Sequence, residues 1–597
     1  MTEFSLGANY WSRVGGPRMW TEWDEPAVRE ELGWARQMGL DTLRFFLYWP
    51  DFEPKPGVDN PIVWERVARF LDLAAEEQLK TFPTLLVGHM SGRNWDPPWR
   101  QGRDLWTDPF MVEHEESFIR RSVTRLQTMP SIAGWVLTNE WPLYAGTTTP
   151  TIFEAWISRM TDAVQEHDPK KRPITLGDGL WNAMGADTGI QVDMLQKYVD
   201  IVGPHVYPEA LDPAEVAMAS YVHCAMGQGR RPVLLEEFGT TDAFGTRDQQ
   251  GAFYRSQLAG ALMAGAVGAW GWCLTDFDLP TTMPYSHHPF ELRFGLLQVD
   301  GTQKPTAEAM REFGPLADKF GTVEPDRLGV LIPALQTEII PFRRGPEGEL
   351  MTRAASRILR NLAQLGYNPR VLREPIPPTD RVRQDIPSLL DLDSVDTLFL
   401  VAPRIGEPLR LRLEEWVRQG GHLYVAYSYT YWFPDLTGFL GVERASLYNV
   451  KERFTGGARI RGAVDADLEI FDGADFVSLS PSGAEVLSRL DTGEPVLFRQ
   501  PLGRGSVVVN ALGIEAASGP VDGLLPLYHS LMSLFKVSPR IHLQGSLGQA
   551  AVSSNGQVLV MNHGESPLEA TPLEGTLDGQ STVEVAPHQW WLGAWVR

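Results

Sequence analysis

The first half of the chain alternates short apolar runs with longer amphipathic stretches. The runs are apolar almost throughout, which is typical of parallel strands covered on both faces. Eight such runs are present, at residues 4–10, 42–49, 81–88, 132–140, 174–178, 201–207, 233–239 and 267–274. The stretches between them, such as EPAVREELGWARQMG and PIVWERVARFLDLAAEEQ, repeat apolar residues with a helical period. Eight strand–helix units that close near residue 320 predict an α/β fold beginning with a (β/α)8 barrel.

The pattern restarts after residues 324–325. The strands LGVLIPAL, DTLFLVAP and HLYVAY alternate with the helical patterns RAASRILRNLAQLG and LRLRLEEWVRQGG, which predicts a second α/β domain with a parallel sheet. From Arg540 onward the strands are short and alternate in polarity, and Asn555-Gly556 is a hairpin turn signal. We therefore expect a barrel at 1–322, an α/β domain at 323–539 and a small β domain at 540–597.

The composition narrows the classes of partner. The formal net charge is −22, so no binding to the phosphates of nucleic acid is expected. Two cysteines can build neither a disulfide framework nor a thiolate zinc site. The buried core explains some of the 20 tryptophans, and clefts that bind sugars also use flat aromatic faces, which pack against the C–H groups of pyranose rings.

Two segments bear on location. The start, MTEFSLGANYW, lacks the basic and apolar regions of a secretory signal, so a cytoplasmic protein is expected. Residues 258–275, LAGALMAGAVGAWGWCLT, carry no charge and are long enough to cross a bilayer. Their Gly and Ala content favours a buried helix that runs into a buried strand, so no membrane partner is expected.

Two of the predicted barrel strands end in acidic residues. GWVLTNEWPLY ends strand four with Asn139-Glu140, and PVLLEEFGTT ends strand seven with Glu236 and Glu237. Taken singly, such pairs are more often solvated surface groups or helix caps. In a barrel, however, the ends of strands four and seven lie on the same rim, where active sites are built. Two carboxylates across one pocket are the minimal machinery for glycoside hydrolysis.

The barrel half resembles the clan A glycoside hydrolases, retaining enzymes that include cellulases, β-mannanases, β-mannosidases and β-galactosidases. Their acid/base is the Glu of an Asn-Glu pair after strand four, which matches Glu140. Their nucleophile is a Glu after strand seven, commonly followed by an aromatic residue and Gly, which matches Glu237 rather than Glu236. The resemblance covers residues 4–315, and it implies substrate-binding roles for Arg44, Asn139, His205, Tyr207 and Trp272.

The family mechanism assigns a protonation state to each acid. Glu237 must be ionised to attack, and Arg44 and a Tyr207 hydroxyl would favour its charged form. Glu140 must hold a proton, and a negative Glu237 nearby would raise the pKa of Glu140. Asn139 would bind the sugar 2-hydroxyl. Retaining geometry also requires the two carboxyl groups to lie roughly 5 Å apart.

Two long loops follow strands three and eight. The first, GHMSGRNWDPPWRQGRDLW, contains His89, which we expect to bind a sugar hydroxyl; a purely structural lid is the alternative. The second, DFDLPTTMPYSHHPFELRFG, could wall the same pocket. Its His287-His288 pair has no carboxylate at a spacing that completes a metal site, so no metal is expected. The sequence has no phosphate-binding or dinucleotide-binding motif in context, and no cofactor is expected.

The second domain resembles the class I glutamine-amidotransferase fold. The nucleophile of the amidotransferases is a Cys. Both cysteines of this chain, Cys224 and Cys273, lie in the barrel half, so amidotransferase chemistry is not expected. A barrel followed by such a domain and a small β domain is the layout of the family forty-two β-galactosidases. The middle domain mediates trimers in that family, which implies a homotrimer here. The strand-one signature of that family is missing, and the barrel is more similar to family five.

These patterns together predict a retaining exo-β-glycosidase that hydrolyses neutral β-linked hexosides. The long loops favour a closed pocket, and hence removal of terminal sugars. A β-mannosidase is the first expectation, from the likeness to family five, and a β-galactosidase the second, from the domain layout. An endo-β-mannanase or cellulase is the third. A catalytically inactive glycan-binding protein on the same fold is the alternative from a different class.

Overall fold

A computed structural model describes residues 4–208, 210, 212–333, 347–374, 390–401, 405–426, 437–444 and 452–597. The chain forms two compact units. The first contains residues 1–183, 187–211 and 216–322, and the second contains residues 184–186, 212–215 and 323–597. The expected division of the second part into domains at 323–539 and 540–597 stays a prediction.

The first unit is the predicted TIM barrel. Its strands run β1 Ser5–Tyr10, β2 Thr42–Tyr48, β3 Lys80–Val87, β4 Trp135–Thr138, β5 Ile174–Thr175, β6 His205–Val206, β7 Leu235–Phe238 and β8 Gly268–Gly271. They pair in parallel in the order β5-β4-β3-β2-β1-β8-β7-β6. A parallel bridge between Gly179 and Pro204 joins the segments next to β5 and β6. All eight predicted strands are therefore present, and the sheet closes on itself.

A main helix follows each barrel strand. These helices are α1 Glu25–Gln37, α2 Pro61–Glu76, α3 Pro109–Leu126, α4 Pro150–His167, α5 Val192–Tyr198, α6 Ala219–Gly227, α7 Arg247–Met263 and α8 Pro305–Phe320. Helices α1 to α4 each begin with a side-chain cap followed by Pro in the first turn, which fixes where the helix starts. Short helical turns lie at Gly16–Arg18, Trp49–Phe52, Trp141–Ala145, Trp181–Met184, Pro213–Ala217 and Pro289–Arg293.

The uncharged segment 258–275 divides between α7 and β8, as predicted. Within the described residues, no helix is both long and apolar enough to cross a membrane. The floor of the barrel is an apolar cluster that contains Phe82, Val136, Leu234 and Trp270. Trp270 therefore belongs to the core, and Trp272 remains the aromatic candidate for the site.

The second unit contains a large mixed sheet. Its parallel part consists of Arg370–Arg373, Leu328–Ile332, Thr397–Val401, His422–Ala426 and Gly505–Asn510, in that order. Helices Glu347–Gln364, Glu407–Arg418 and Leu524–Leu534 accompany it, with a 3-10 turn at Leu392–Ser394. The predicted α/β pattern is thus present. The last residues predicted for its strands, 334–335, 402–403 and 427, lie outside the described residues.

The expectation of a parallel sheet was incomplete, because an antiparallel extension continues the same sheet. It consists of Pro495–Leu502, Glu485–Leu490, Glu452–Gly462, Ala466–Phe476 and Leu512–Gly513, and Val521–Asp522 pairs beside it. Val442–Arg444 and Leu479–Pro481 form a separate pair. In Ala466–Phe476 buried and exposed residues alternate at first, as in a sheet with one solvated face.

The end of the chain forms two small antiparallel sheets. One contains Ile541–Gly545, Leu568–Pro572 and Val583–Val585; the other contains Gly548–Val552, Gln557–Asn562, Trp590–Val596 and Thr576–Leu577. The predicted hairpin at Asn555-Gly556 is present, and Gly556 adopts a φ of +78°, which a residue other than glycine rarely does. A separate apolar core that includes Val558, Val560 and Leu568 supports these sheets.

Candidate active site

The candidate residues meet at the carboxyl ends of the barrel strands. Arg44 comes from β2, Asn139 and Glu140 follow β4, His205 lies on β6 and Glu237 lies on β7. The structure brings these five residues into one continuous set of contacts. This cluster is the region that the sequence pattern selected.

Arg44 is the centre of the network and is fully buried. Its Nη1 contacts a carboxylate oxygen of Glu237, and its Nη2 donates to Oδ1 of Asn139 at 2.8 Å. Its Nε donates to the Thr84 hydroxyl at 3.0 Å, and Nη1 also donates to Oδ1 of Asn9 at 3.1 Å. The guanidinium thus uses its fixed fork of donors to align groups from four strands.

Asn9 is a residue that the sequence reasoning missed. Its Nδ2 donates to the backbone carbonyl of Glu236 at 3.0 Å, while its Oδ1 accepts from Arg44. It is completely buried on β1. It therefore joins the first strand to β7, directly beside Glu237. The only signal in the sequence was an amide inside the otherwise apolar SLGANY.

Glu237 accepts a second contact from Tyr207, whose hydroxyl donates to Oε2 at 2.9 Å. Both partners expected for Glu237, Arg44 and Tyr207, are in place. One carboxylate oxygen of Glu140, one of Glu237 and a ring nitrogen of His205 lie within 4.8 Å of one another. The two candidate carboxyl groups therefore face each other across a narrow space.

Glu140 sits in an unusual backbone conformation. Its φ is +47° and its ψ is +49°, and its N–H donates to the carbonyl of Gly177 at 2.6 Å. This left-handed conformation is costly for a residue with a Cβ, and it ends β4 abruptly. The carboxyl group accepts from Nδ1 of His205 at 3.0 Å and lies 3.5 Å from Nε2 of His89.

His89 lies beside the candidate acid Glu140. It belongs to a small hairpin, His89–Met90 paired with Arg93–Asn94, and its Nδ1 lies 2.5 Å from Oδ1 of Asn94. Its backbone carbonyl accepts from Nδ2 of Asn139 at 3.0 Å. His89 therefore holds Asn139 in place and points Nε2 at Glu140.

Glu236 and Glu237 both face His205, although successive residues of a regular strand point to opposite sides. Leu235 pairs with Ala269 and Phe238 pairs with Gly271, so two residues of β7 stand opposite one residue of β8. Such a bulge turns both carboxylates toward His205. Oε2 of Glu236 lies 3.4 Å from Nε2 of His205, and Oε2 of Glu237 lies 3.5 Å from Nδ1.

His205 is therefore the positive centre of an acidic cluster. Burial lowers the pKa of His205, but three surrounding carboxylates, first among them Glu237, outweigh burial and raise it to about 10. An imidazolium donates from both ring nitrogens, which fits its contacts on both sides. The same three groups, Glu140, His205 and Glu237, are close enough to hold a metal ion. A protonated His205 has no lone pair to offer, so a cation would have to displace a proton from it.

The pKa shifts of the two candidate acids are the reverse of those expected from the sequence. Burial raises the pKa of Glu140, but the hydrogen bond and charge of His205 outweigh burial and lower it overall. Burial also raises the pKa of Glu237, and there it outweighs the opposing charges of His205 and Arg44. The expectation left out the charge of His205, which lowers the pKa of Glu140, and the burial of Glu237, which raises the pKa of Glu237.

Trp272 lies at the end of β8 and is buried, with its ring edge-to-face against Phe46 at 5.9 Å between centroids. Beside it lies Glu291, which the sequence reasoning did not single out. The Glu291 carboxyl accepts from the Ser91 hydroxyl at 3.2 Å, and the nearby Trp272 side chain favours its charged form. Burial raises the pKa of Glu291 to about 7. The only signal for Glu291 was its place in the long loop after strand eight.

The hairpin that contains His89 contacts the loop after β8. Its turn residues Ser91 and Gly92 both have positive φ, as a two-residue hairpin turn requires. Ser91 bonds to Glu291, and a Cβ on Gly92 would come within 3.3 Å of His288. The loops after β3 and β8 thus meet beside the candidate acids.

No protein-family model and no curated protein sequence matches the chain. Among solved structures, the exo-β-1,4-mannosidase Op5Man5 from Opitutaceae bacterium strain TAV5 has a TM-score of 0.74 at 25% identity, over 89% of this chain and 95% of that one. Gan42B, a GH42 β-galactosidase, has a TM-score of 0.74 at 14% identity, over 100% of this chain and 98% of that one. A GH5_18 protein from Streptomyces cattleya, solved with GlcNAc, has a TM-score of 0.56 at 21% identity, over 62% and 93%.

The chain resembles the clan A glycoside hydrolases. The resemblance drawn from the sequence is confirmed, including the layout shared with the family forty-two β-galactosidases. The second and third likenesses, at 14% and 21% identity, show the fold alone. The cluster around Arg44, His205 and the two facing acids lies at the carboxyl ends of the barrel strands, the face on which TIM barrels carry their active sites.

Proposed function

We propose that the protein is a retaining exo-β-mannosidase with Glu140 as acid/base and Glu237 as nucleophile. The observation that carries this proposal is the separation of the two acids, with one carboxylate oxygen of each within 4.8 Å of the other. Retaining glycosidases hold these groups about 5–5.5 Å apart, whereas inverting enzymes need about 6.5–9.5 Å to fit a water between them. The spacing supports double displacement.

The reaction proceeds in two steps. In the first, a carboxylate oxygen of Glu237 bonds to the anomeric carbon, the glycosidic C–O bond breaks, and Glu140 gives its proton to the leaving oxygen. In the second, Glu140 takes a proton from water, whose oxygen replaces Glu237 at the anomeric carbon. Arg44 and Tyr207 hold the two oxygens of Glu237, so the attacking group is aligned before the sugar arrives.

Asn139 is arranged to bind the sugar 2-hydroxyl. Its Oδ1 accepts from Arg44, and one proton of Nδ2 goes to the carbonyl of His89. The amide has a second Nδ2 proton, which can donate to the hydroxyl at C2. Because both ends of the amide are fixed, that donor keeps its direction during the reaction.

Glu140 must carry a proton in the first step. In the free protein, Nδ1 of His205 donates to Oε1 of Glu140 at 3.0 Å, so the pair already holds the proton that this step consumes. A sugar bound over Glu140 removes water from the carboxylate and favours its neutral form. The proton then moves from Nδ1 to Glu140 within an existing hydrogen bond.

Exo action is supported by the contact between the loops after β3 and β8. The hydrogen bond from Ser91 to Glu291 joins the hairpin at His89 to the segment beside Trp272. A wall at this place limits the number of sugar residues that fit past the cleaved bond. The acceptor oxygens of Glu291 also suit the hydroxyls of a terminal sugar.

The sugar is proposed from two likenesses. Op5Man5 is an exo-β-1,4-mannosidase, and the match at 25% identity over 89% of this chain makes mannose the first candidate. Galactose is the second, because the β-galactosidase Gan42B matches over 100% of this chain. Mannose and galactose differ at C2 and C4, so the groups that face those two hydroxyls decide between them.

The test is hydrolysis of nitrophenyl β-mannoside, β-galactoside and β-glucoside by the wild type, Glu237→Ala and Glu113→Ala. Glu113 is exposed on α3 and serves as the matched control. We expect the mannoside to be cleaved fastest, by the wild type and Glu113→Ala only. Preference for the galactoside would transfer the proposal to the second candidate. No cleavage of the panel but cleavage of mannan or cellulose would indicate endo action, and no cleavage of any substrate would favour a glycan-binding protein.

The proposal also includes a homotrimer and a cytoplasmic location. Light scattering should give three times the mass of one 66.7 kDa chain, and a monomer would remove the trimer from the proposal. Fractionation of the source cells tests the location.

A further inference from the structure

Glu236 is a buried acid that the proposed reaction does not use. It is completely buried, and its Oε1 has no hydrogen-bond partner among the described residues. Its Oε2 lies 3.4 Å from Nε2 of His205. A Cβ at Gly203 would lie 2.6 Å from the same oxygen, so a glycine there leaves room for the carboxyl group. A buried carboxylate left partly unpaired is costly, which calls for an explanation beyond packing.

The position of His205 supplies that explanation. Its imidazole lies between two carboxyl groups, with Nε2 toward Glu236 and Nδ1 toward Glu140. A neutral imidazole carries one N–H, and the partner of one nitrogen decides which nitrogen keeps it. With a carboxylate at Glu236, the proton stays on Nε2. The second proton is then shared between Nδ1 and Glu140.

We propose that Glu236 is a positioning residue that fixes the Nε2–H form of His205, so that Nδ1 can exchange the proton of the acid/base Glu140. This inference rests on the proposed function of Glu140. The arrangement follows the logic of an acid that orients a catalytic histidine. When Glu140 protonates the leaving oxygen, the proton it gives has come from Nδ1, so the imidazolium of His205 becomes a neutral imidazole whose remaining proton stays on Nε2, facing Glu236. No bond other than that to the transferred proton changes in this relay.

The other groups that face His205 are consistent with this role. Glu237 lies 3.5 Å from Nδ1, and the buried Asp178, after β5, interacts electrostatically with both His205 and Glu236. Burial raises the pKa of Asp178 to about 7, so this carboxyl group is protonated below neutral pH. Arg44 balances Glu237 directly. Glu236 is the acidic side chain that lies beside Nε2.

The dependence on the leaving group separates this role from a structural one. A glycoside with a poor leaving group needs a general acid, whereas a dinitrophenyl glycoside leaves without one. General acid catalysis contributes about 10²–10⁴-fold. We expect Glu236→Gln to slow hydrolysis of poor leaving groups by about 10²-fold or more. Hydrolysis of the dinitrophenyl glycoside should fall by less than about tenfold, and the alkaline limb of kcat/KM should move to lower pH, because His205 loses a neighbouring negative charge.

The experiment compares a series of aryl β-glycosides of the preferred sugar in wild type, Glu236→Gln, Gly203→Ala and the control Glu115→Gln. Gly203→Ala displaces the carboxyl group of Glu236 without removing it. Like Glu236→Gln, it should slow poor leaving groups more than good ones, but by a smaller factor. Glu115 is an equally buried acid on α3 that bonds to Trp156, and its variant should keep the wild-type dependence on the leaving group. Equal losses for all leaving groups with an unchanged pH profile would overturn the proposal, as would no loss at all.

A second readout does not depend on turnover. Nitrogen shifts of ¹⁵N-labelled histidine report which nitrogen of His205 is protonated and at what pH. We expect Glu236→Gln to lower the pKa of His205 and to remove the preference for Nε2–H. Unchanged shifts would refute the role of Glu236 even if the wild type cleaves no glycoside of the series. Inactivity of the wild type would separately refute the proposed function.

Discussion

Replacing Tyr207 by Phe tests the pairing of the proposed nucleophile. The change removes one hydroxyl, which donates to Oε2 of Glu237 at 2.9 Å, and keeps the ring that packs against Phe294 at 6.0 Å between centroids. That hydrogen bond favours the charged form of Glu237, so its loss raises the pKa of Glu237. The acidic limb of kcat/KM, which reports ionisation of the nucleophile in the free enzyme, must then move to higher pH.

The size of the shift follows from the contact. A hydrogen bond to a charged group contributes about 1.5–3 kcal/mol. Tyr207 is 38% exposed, so water screens the interaction and the lower end applies. About 1.5 kcal/mol corresponds to roughly one pH unit. At a pH one unit below the pKa of the wild-type acidic limb, the variant should therefore hydrolyse its substrate about tenfold more slowly than the wild type. The loss on the pH-independent plateau should be smaller.

The assay is a pH profile of kcat/KM with the preferred aryl glycoside, for wild type, Tyr207→Phe and Tyr198→Phe. Tyr198 provides a matched control, because its hydroxyl donates to Glu154 at 3.0 Å between helices outside the barrel. A limb that stays in place or moves to lower pH would refute the assignment of Tyr207 to an ionised nucleophile. A plateau loss without a shift would show that Tyr207 positions the site but leaves ionisation unchanged.

Two further substitutions concern buried acids. Burial raises the pKa of Glu291 to about 7, so ionisation of this group beside Trp272 should change KM near pH 7. Glu291→Gln should remove that change. A variant whose KM still changes near pH 7 would contradict this prediction. Glu115, buried against Trp156, has a pKa raised from 4.5 to about 8, so the folded protein keeps a proton that the unfolded chain loses. The stability of the folded protein should therefore fall as pH rises from 4.5 to 8, and Glu115→Gln should weaken the fall in melting temperature over that range. Equal changes of melting temperature with pH in the wild type and the variant would refute this prediction.

The two candidate acids could be predicted because they lie at strand ends. Glu140 and Glu237 each follow or end an apolar run, and parallel strands bring their ends to one rim whatever the loops do, whereas Arg44 was visible as a charge inside an apolar run. The antiparallel extension of the second unit was missed, although AVDADLEIFDG alternates as such a strand does. The alternation of strands and helices before this segment favoured another helix–strand unit, although the alternation of apolar and polar residues indicates an antiparallel strand.

Other features depend on three-dimensional detail that no local pattern contains. The direction of Glu236 follows from a bulge, which is set by pairing with β8 rather than by the residues of β7. Glu291 reaches the site only because the hairpin at Ser91 contacts its loop. The pKa directions of the acids depend on how deeply each carboxyl group is buried and how close it lies to His205, which the sequence does not give.

The backbone of Glu140 has a consequence for laboratory evolution. A left-handed conformation costs a residue with a Cβ about 1–2 kcal/mol, and glycine escapes that cost. Replacement of Glu140 by Gly should therefore yield an inactive protein that resists heat at least as well as its parent. A library selected for heat resistance alone would enrich such variants, so any screen of this protein needs turnover as a second criterion.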